Sequence, residues 1–498
     1  MSLKHNTVAN YLGNAYILAV AIVVYPLFLG YVGAEPYGLI SVFIMMQAVF
    51  MLLDMGLAPT LNRQAADCRA MPAHKPGFHR LIRSIEVMMM LPALLLLLLF
   101  HLLPDGYLVR WLQIDSLTVD TVASCLRIML VISLLRVLST LYRSAILGFE
   151  RQVWFNGVNV LMVSLKYPGA LFLFHYFDLS IVGFFVFQLC VAVLELICLR
   201  QGFYRFAQFR ERLGVLFDAS AIRNILPFTS GVAYTAILWV LVTQFDKLLL
   251  SGLLPLAEFG YFGLVALVSS SILQVSGPLN QAVLPRMTSY FVKGERDQLF
   301  ALYLFSSQMM TALVASVGLV MAMYPAELLF AWTNDAGLAM WSTPILRWYA
   351  LGYAVLALGA LQYLLQFAHG QLRLHVIGAS LSVVVQLPLI YIAATHYGAL
   401  GAAIAWFGFR TLFLLSWSPV VHHAFYPGLH LRWLTGVLRV LSSVLLVAVG
   451  LWWLDLQFSD ASRFVTFVQL MAIGGLTFLI AAASSHDIRR KISRMVMS

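Results

Sequence analysis

The sequence predicts an all-α integral membrane protein of about fourteen transmembrane helices. They are expected to form two six-helix lobes related by a pseudo-two-fold axis along the membrane normal, followed by two C-terminal helices. Three observations lead there: apolar runs that recur from end to end, charge that alternates between them, and an internal repeat. Of 498 residues, 61% are hydrophobic and 10% charged, too little charge to cover the surface of a soluble protein of this size.

The runs give the span boundaries. In the first half they are 10–31, 37–58, 87–103, 122–141, 153–175 and 181–199. In the second half they are 228–250, 259–284, 302–323, 343–365, 376–395 and 401–421, and two more cover 433–454 and 465–483. Most reach the roughly twenty residues that cross a hydrocarbon core. Lys4 and His5 precede a run too long for a signal h-region, so it reads as a first span, not a cleaved leader. With the N-terminus placed in the cytoplasm, inner connections collect Arg63, Arg69, Lys75, Arg80, Arg83, Arg143, Arg151, Arg200, Arg205, Arg210, Arg212, Arg223, Arg286, Lys293, Arg296, Arg373, Arg432 and, in the tail, Arg489, Arg490, Lys491 and Arg494. Outer connections hold Arg110 and Arg463 among acids such as Glu35, Asp105, Asp115, Asp178, Glu258, Asp335, Asp455 and Asp460. A missed or invented span would invert this pattern downstream, so the charges support an even count with both termini cytoplasmic. The net charge of +10 then belongs to the inner loops and not to a nucleic-acid-binding domain.

The two halves match at an offset of about 220 residues. Ala34, Glu35 and Gly38 correspond to Ala257, Glu258 and Gly260; Gly148 and Arg151 to Gly370 and Arg373; Pro168 to Pro388; His175 and Tyr176 to His396 and Tyr397. An even number of spans per repeat gives both halves one orientation, with a substrate path expected between them. The domains follow: 1–199 as the N-lobe, 200–224 as a cytoplasmic amphipathic linker, 225–423 as the C-lobe, and 424–498 as the last two spans with a basic tail. In the linker Phe203, Phe206, Phe209, Leu213 and Leu216 alternate with arginines, as in an interfacial helix. The basic stretch from Pro59 to Glu86, interrupted by Pro72 and Pro76, reads as a loop with a short interfacial turn.

Sites of recognisable chemistry are missing from the sequence. There is no Walker A sequence, nucleophile elbow, zinc-type histidine pair or dinucleotide fingerprint. Cys68, Cys125, Cys190 and Cys198 have no metal or disulfide spacing and read as small buried hydrophobes. No cofactor and no metal are expected. The short outer connections argue against a membrane glycosyltransferase or polymerase, which needs room for acceptor and catalytic groups.

Three stretches carry a resemblance: Leu27 to Gly30 with Ala34 to Gly38 and Leu53 to Leu57; Phe245 to Gly252 with Gly260 and Tyr261; and Tyr397 to Ala403 with Trp406. The chain resembles the polysaccharide transporter family of the multidrug/oligosaccharidyl-lipid/polysaccharide exporter superfamily, the Wzx-type O-antigen flippases in particular. That resemblance implies a flippase of the bacterial inner membrane, acting in lipopolysaccharide or other surface-polysaccharide biosynthesis. It would move an undecaprenyl-pyrophosphate-linked oligosaccharide from the cytoplasmic to the outer leaflet by alternating access. Membrane lipids, a proton or sodium ion, and a polysaccharide polymerase with its chain-length machinery are the implied partners. A lipid II-type flippase and a small-molecule drug exporter of the same fold are the alternatives.

Charges inside spans are costly and tend to face a cavity or a partner. Arg347 and Arg127 stand near span ends and are expected to snorkel. Arg136, Lys166, Lys247 and Arg410 are the candidate cationic cavity for a pyrophosphate headgroup, and Asp54, Glu195 and Asp246 the candidates either for ion coupling or for structural ion pairs that neutralise nearby cations. Arg136 and Arg143, seven residues apart, share a helix face. Asp246 and Lys247 are adjacent, which predicts separate partners for the two. The set is net basic, the opposite of what an exporter of cationic drugs needs.

Overall fold

The computed structural model describes residues 3–54, 56–209, 217–454, 462–485 and 487–489. Among them the chain is helical nearly throughout. The helices are α1 (Leu3–Val32), α2 (Ala34–Phe50), α3 (Leu57–Ala70), α4 (Lys75–Leu102), α5 (Asp105–Val109), α6 (Val119–Gly148), α7 (Gln152–Ser164), α8 (Ala170–Phe177) and α9 (Ile181–Ala207). They continue with α10 (Ala219–Leu253), α11 (Leu256–Val292), α12 (Arg296–Met323), α13 (Pro325–Thr333), α14 (Ala336–Ala368), α15 (Arg373–Phe425), α16 (Leu429–Leu454) and α17 (Arg463–Ser484). Among the described residues, 13 helical segments are long and apolar enough to cross a membrane. One of them is α15, whose 53 residues would run about 80 Å, far beyond a ~30 Å core. Gly398, at φ 59° and ψ −145°, breaks it in two, a conformation that costs glycine least. Counted so, the crossing segments among the described residues number the fourteen expected.

The chain forms two compact units, Met1–Gly260 and Tyr261–Ser498. In the first, α6 lies along α3 and α9, and α10 contacts α2, α3 and α4. Residues 200–207 of the expected linker continue α9, and those from Ala219 open α10. Arg210, Arg212, Leu213 and Leu216 lie outside the described residues, as do Asp455, Asp460 and the tail beyond Arg489. Asp218 caps α10 by accepting from the amides of Ser220 (2.9 Å) and Ala221 (3.3 Å). The Ser220 hydroxyl above all, with these amides, holds its carboxyl below the usual carboxylate range.

The stretch Pro59 to Glu86 is not a loop. It holds most of α3, a 3₁₀ turn at Pro72–His74 and the start of α4. Leu57, Leu61, Ala65 and Cys68 are buried on one face of α3 at the i, i+4 spacing of an amphipathic helix, which outweighs the charge on its other face. Pro76 stands within the first two positions of α4, where a missing N–H costs nothing. Leu61, Phe78, Leu141, Tyr142, Phe149 and Phe203 form the core here. Two cysteines depart from expectation: Cys68 and Cys125 are buried, whereas Cys190 is exposed and Cys198 half-buried on α9. In an apolar run an outward position does not penalise a thiol.

Gly38 and Gly260, paired above as repeat positions, meet where α2 crosses the first turn of α11. A Cβ on Gly38 would collide with the Leu256 carbonyl, and one on Gly260 would stand 2.9 Å from the Ala34 carbonyl oxygen. Such close approach of helices is what small residues allow. Gly38→Ala is therefore expected to destabilise the first unit by about 1–3 kcal/mol, read as a lower thermal midpoint in detergent. An unchanged midpoint would mean that the crossing has slack.

In the second unit α12 packs against α14, α16 and α17. Ala312, Val440 and Ala481 are among the residues of that seam. Two polar bolts reinforce it. The Tyr303 hydroxyl lies 2.6 Å from His422 Nε2, and His422 Nδ1 lies 3.1 Å from His430 Nδ1. Gln308 donates from Nε2 to Asp487 at 2.7 Å and accepts from the Ser485 hydroxyl at 2.5 Å. The last two helices are thereby tied to α12.

Candidate functional site

The site grows from one proline. The expected fifth span is helical as α7 and α8, but between them Leu165–Gly169 forms a π-turn around Pro168. Proline has no N–H and its ring clashes with the carbonyl four residues back, and the widened turn relieves both. The Ala170 amide bonds the Tyr167 carbonyl. The Lys166 carbonyl, so released, accepts from Gln188 Nε2 on α9 at 2.7 Å. The Ser164 hydroxyl bonds Val160 O at 2.8 Å and meets Tyr16 OH at 2.6 Å, while the Tyr25 and Tyr167 hydroxyls lie 3.1 Å apart. Single-turn π-bulges of this kind concentrate at functional sites.

Lys166 is buried at 8% exposure. Its ammonium donates to Glu195 Oε2 of α9 at 2.5 Å, one of the three hydrogen bonds it can make. Arg136 and Arg143 of α6 lie within electrostatic reach of it. The Arg136 guanidinium covers the Phe43 ring at 5.3 Å, and Phe43 meets Phe185 edge-on at 5.5 Å. Arg136 Nε is buried with no hydrogen-bond partner, and Arg136 makes no ion pair among the described residues. Arg143 stacks over Phe155 at 4.9 Å and feels the charge of Glu195. Lys166 is buried, Arg136 half-buried and Arg143 exposed, so the first two give one carboxylate an excess of positive charge that solvent screens less than at the surface.

Of the residues singled out in the sequence, the structure brings together Arg136, Lys166 and Glu195. Asp54 ends the 3₁₀ turn after α2, buried; Oδ2 accepts from the Ala58 amide at 3.3 Å, and Oδ1 has no hydrogen-bond partner among the described residues. Asp246 and Lys247 do meet, contrary to expectation. The lysine bends back along its helix to the Thr243 carbonyl at 2.6 Å, which brings Nζ within 3.3 Å of Asp246 Oδ1. A long flexible stem overrides the diverging Cβ directions of neighbours. Arg410 belongs to the second unit, buried over the Trp406 ring at 4.6 Å. The half-repeat counterpart of Lys166, Gln386, is fully buried in α15 near Pro388, where the helix stays α. Arg127 reaches Asp105 at 2.6 Å and the Leu103 carbonyl at 3.1 Å, and Arg347 reaches the Ala322 carbonyl at 2.9 Å.

Gln188, Phe43 and the π-turn were not singled out from the sequence. Gln188 had a signal, as an amide alone among apolar residues of its span. Among the described residues no group of three or more His, Cys, Asp or Glu side chains could hold a metal.

Comparison with known proteins fits this architecture. A family model described as polysaccharide biosynthesis protein matches residues 3–291. None of the curated proteins matches the sequence. Among solved structures, the chain is similar to the lipid II flippase MurJ in an inward closed conformation, with a TM-score of 0.68 at 14% identity over 96% of this chain and 98% of that one. It is also similar to an inward-facing multidrug resistance MATE transporter of the MOP superfamily, at TM-score 0.61 and 13% identity, over 84% of this chain and 96% of that one. A third is a MOP superfamily transporter from Pyrococcus furiosus, whose binding pocket of reverse polarity suggests a different function for it, at TM-score 0.52 and 13% identity, over 84% and 94%. At these identities the likeness establishes a shared fold.

Proposed function

Because the chain belongs to the polysaccharide biosynthesis protein family, we propose that it is a flippase for an undecaprenyl-pyrophosphate-linked oligosaccharide, an O-antigen or other surface-polysaccharide repeat unit. It carries this substrate from the cytoplasmic to the outer leaflet of the bacterial inner membrane by alternating access, with both termini cytoplasmic. The observation that supports the reading best is the buried Lys166 with the half-buried Arg136 within electrostatic reach of it, against a single Glu195. A pyrophosphate diester brings two negative charges and a ring of acceptor oxygens, which suits a planar guanidinium with an unused donor and an ammonium with two. The isoprenoid tail stays in the lipid, so the protein has only to shelter the headgroup and sugars.

Arg136 and Lys166 bind the pyrophosphate in this reading, while Lys247 in the first unit and Arg410 in the second are kept as separate cationic candidates. Asp54, with one oxygen free of hydrogen bonds, is the best-placed carboxylate for a coupling proton or sodium ion; Glu195 and Asp246 are each held by a lysine. The delivered repeat unit would pass to a polymerase and its chain-length machinery. A lipid II-type flippase shares the headgroup chemistry and stands as the second reading, favoured by a fold likeness covering 96% of the chain.

Deleting the gene and analysing membrane lipids tests the proposal. Undecaprenyl-linked oligosaccharide is expected to accumulate on the cytoplasmic side. Accumulation of lipid II instead would shift the substrate to the second reading, and unchanged glycans with altered sensitivity to cationic dyes would replace flipping with drug export.

A further inference from the structure

We propose that Glu195 is a built-in competitor of the anionic headgroup: it occupies Lys166 in the empty carrier, yields it when the pyrophosphate enters, and reclaims it to drive release. The inference rests on the flippase reading above and assigns Glu195 a role in binding and not in structure alone.

The bonding of the pair carries the argument. A buried ion pair repays its desolvation only when further hydrogen bonds satisfy both partners. Here the Lys166 ammonium makes one side-chain hydrogen bond among the described residues, to Glu195, and Glu195 makes one, to Lys166. A pair built for rigidity would be braced, as Glu86 is by Tyr142 at 2.6 Å, Tyr204 at 3.2 Å and Arg83 at 3.1 Å. Bracing at Lys166 falls on its backbone instead: Gln188 holds the carbonyl and leaves the side chain to choose its partner. The charge balance points the same way. With the half-buried Arg136 in electrostatic reach of the pair, one carboxylate leaves two cations unbalanced, and a dianion matches them. While it is bound, Glu195 faces like charge and is pushed off the lysine; once the carrier opens to water and screening weakens the headgroup's hold, the tethered carboxylate is always at hand to return. A tethered competitor acts at millimolar or higher effective concentration, enough to prevent a tight-binding substrate from stalling transport.

Binding of undecaprenyl diphosphate to the purified full chain in lipid nanodiscs, together with transport in vesicles, tests this. Glu195→Gln is expected to bind the probe about tenfold tighter than the parent protein while transporting more slowly, a split that a merely structural residue would not give. Glu195→Asp, which keeps the charge on a shorter arm, should fall between the two and decides the matter if Glu195→Gln does not fold. Replacing both Lys166 and Glu195 with methionine should weaken binding below that of the parent. If the parent binds and both Glu195 variants bind equally or more weakly, the competitor role is wrong and the flippase reading stands. If neither the parent nor any variant binds the probe, both are wrong.

Discussion

Replacing Arg136 with methionine is expected to reduce transport about a hundredfold while the protein stays folded. Truncating one partner of a buried, hydrogen-bonded charge pair costs about 2–5 kcal/mol, and about 2.7 kcal/mol corresponds to a hundredfold. That partnership forms only when the anion is bound. Arg136 makes no ion pair among the described residues, and its Nε has no acceptor there. Its removal forfeits the contact over Phe43, which an apolar side chain partly restores, and breaks no ion pair among the described residues. Lysine at this position keeps the charge without the planar donor fork, so Arg136→Lys should retain intermediate transport. Vesicle assays paired with thermal unfolding in detergent check both halves; near-normal transport in Arg136→Met at equal expression would remove Arg136 from the binding site.

Lys166→Met is expected to have the largest effect on stability of any single change in the first unit, about 3–5 kcal/mol. It takes from the Glu195 carboxylate, whose side chain is 17% exposed, its one hydrogen-bonded partner among the described residues. The double replacement of Lys166 and Glu195 by methionine removes both charges and should recover most of that loss, since well-packed apolar residues often equal a buried ion pair. Transport should not recover, because the headgroup has lost its ammonium. Thermal midpoints of the two singles and the double form a complete cycle; additive losses would mean that the pair does not interact across α9 and the π-turn.

Much of this was legible in the sequence because a bilayer simplifies the reading. Apolar length gives the spans, so even the one helix that runs through Gly398 without a gap was divided correctly. What escaped was local. Charge density hid α3, whose buried face consists of Leu57, Leu61, Ala65 and Cys68, because a basic stretch with prolines reads as a loop when only composition is weighed. At the site, Arg136, Lys166 and Glu195 were each legible as charges misplaced in apolar runs. Their meeting was not, since Lys166 stands in a π-turn and periodicity cannot register one extra residue in a helix. The adjacent Asp246 and Lys247 show the opposite error, where helical geometry was trusted over the reach of a lysine. Gly38 and Gly260 were noticed for their repeat spacing, and their physical reason is contact with each other's helix.

The most direct test of the central claim is reconstitution of the purified protein into vesicles holding a fluorescent undecaprenyl-pyrophosphate oligosaccharide, with the fraction reaching the opposite leaflet followed over time. The account predicts protein-dependent flipping that undecaprenyl diphosphate inhibits and that Arg136→Met nearly abolishes. Flipping equal to protein-free vesicles, beside efficient export of a cationic dye by the same preparation, would contradict it.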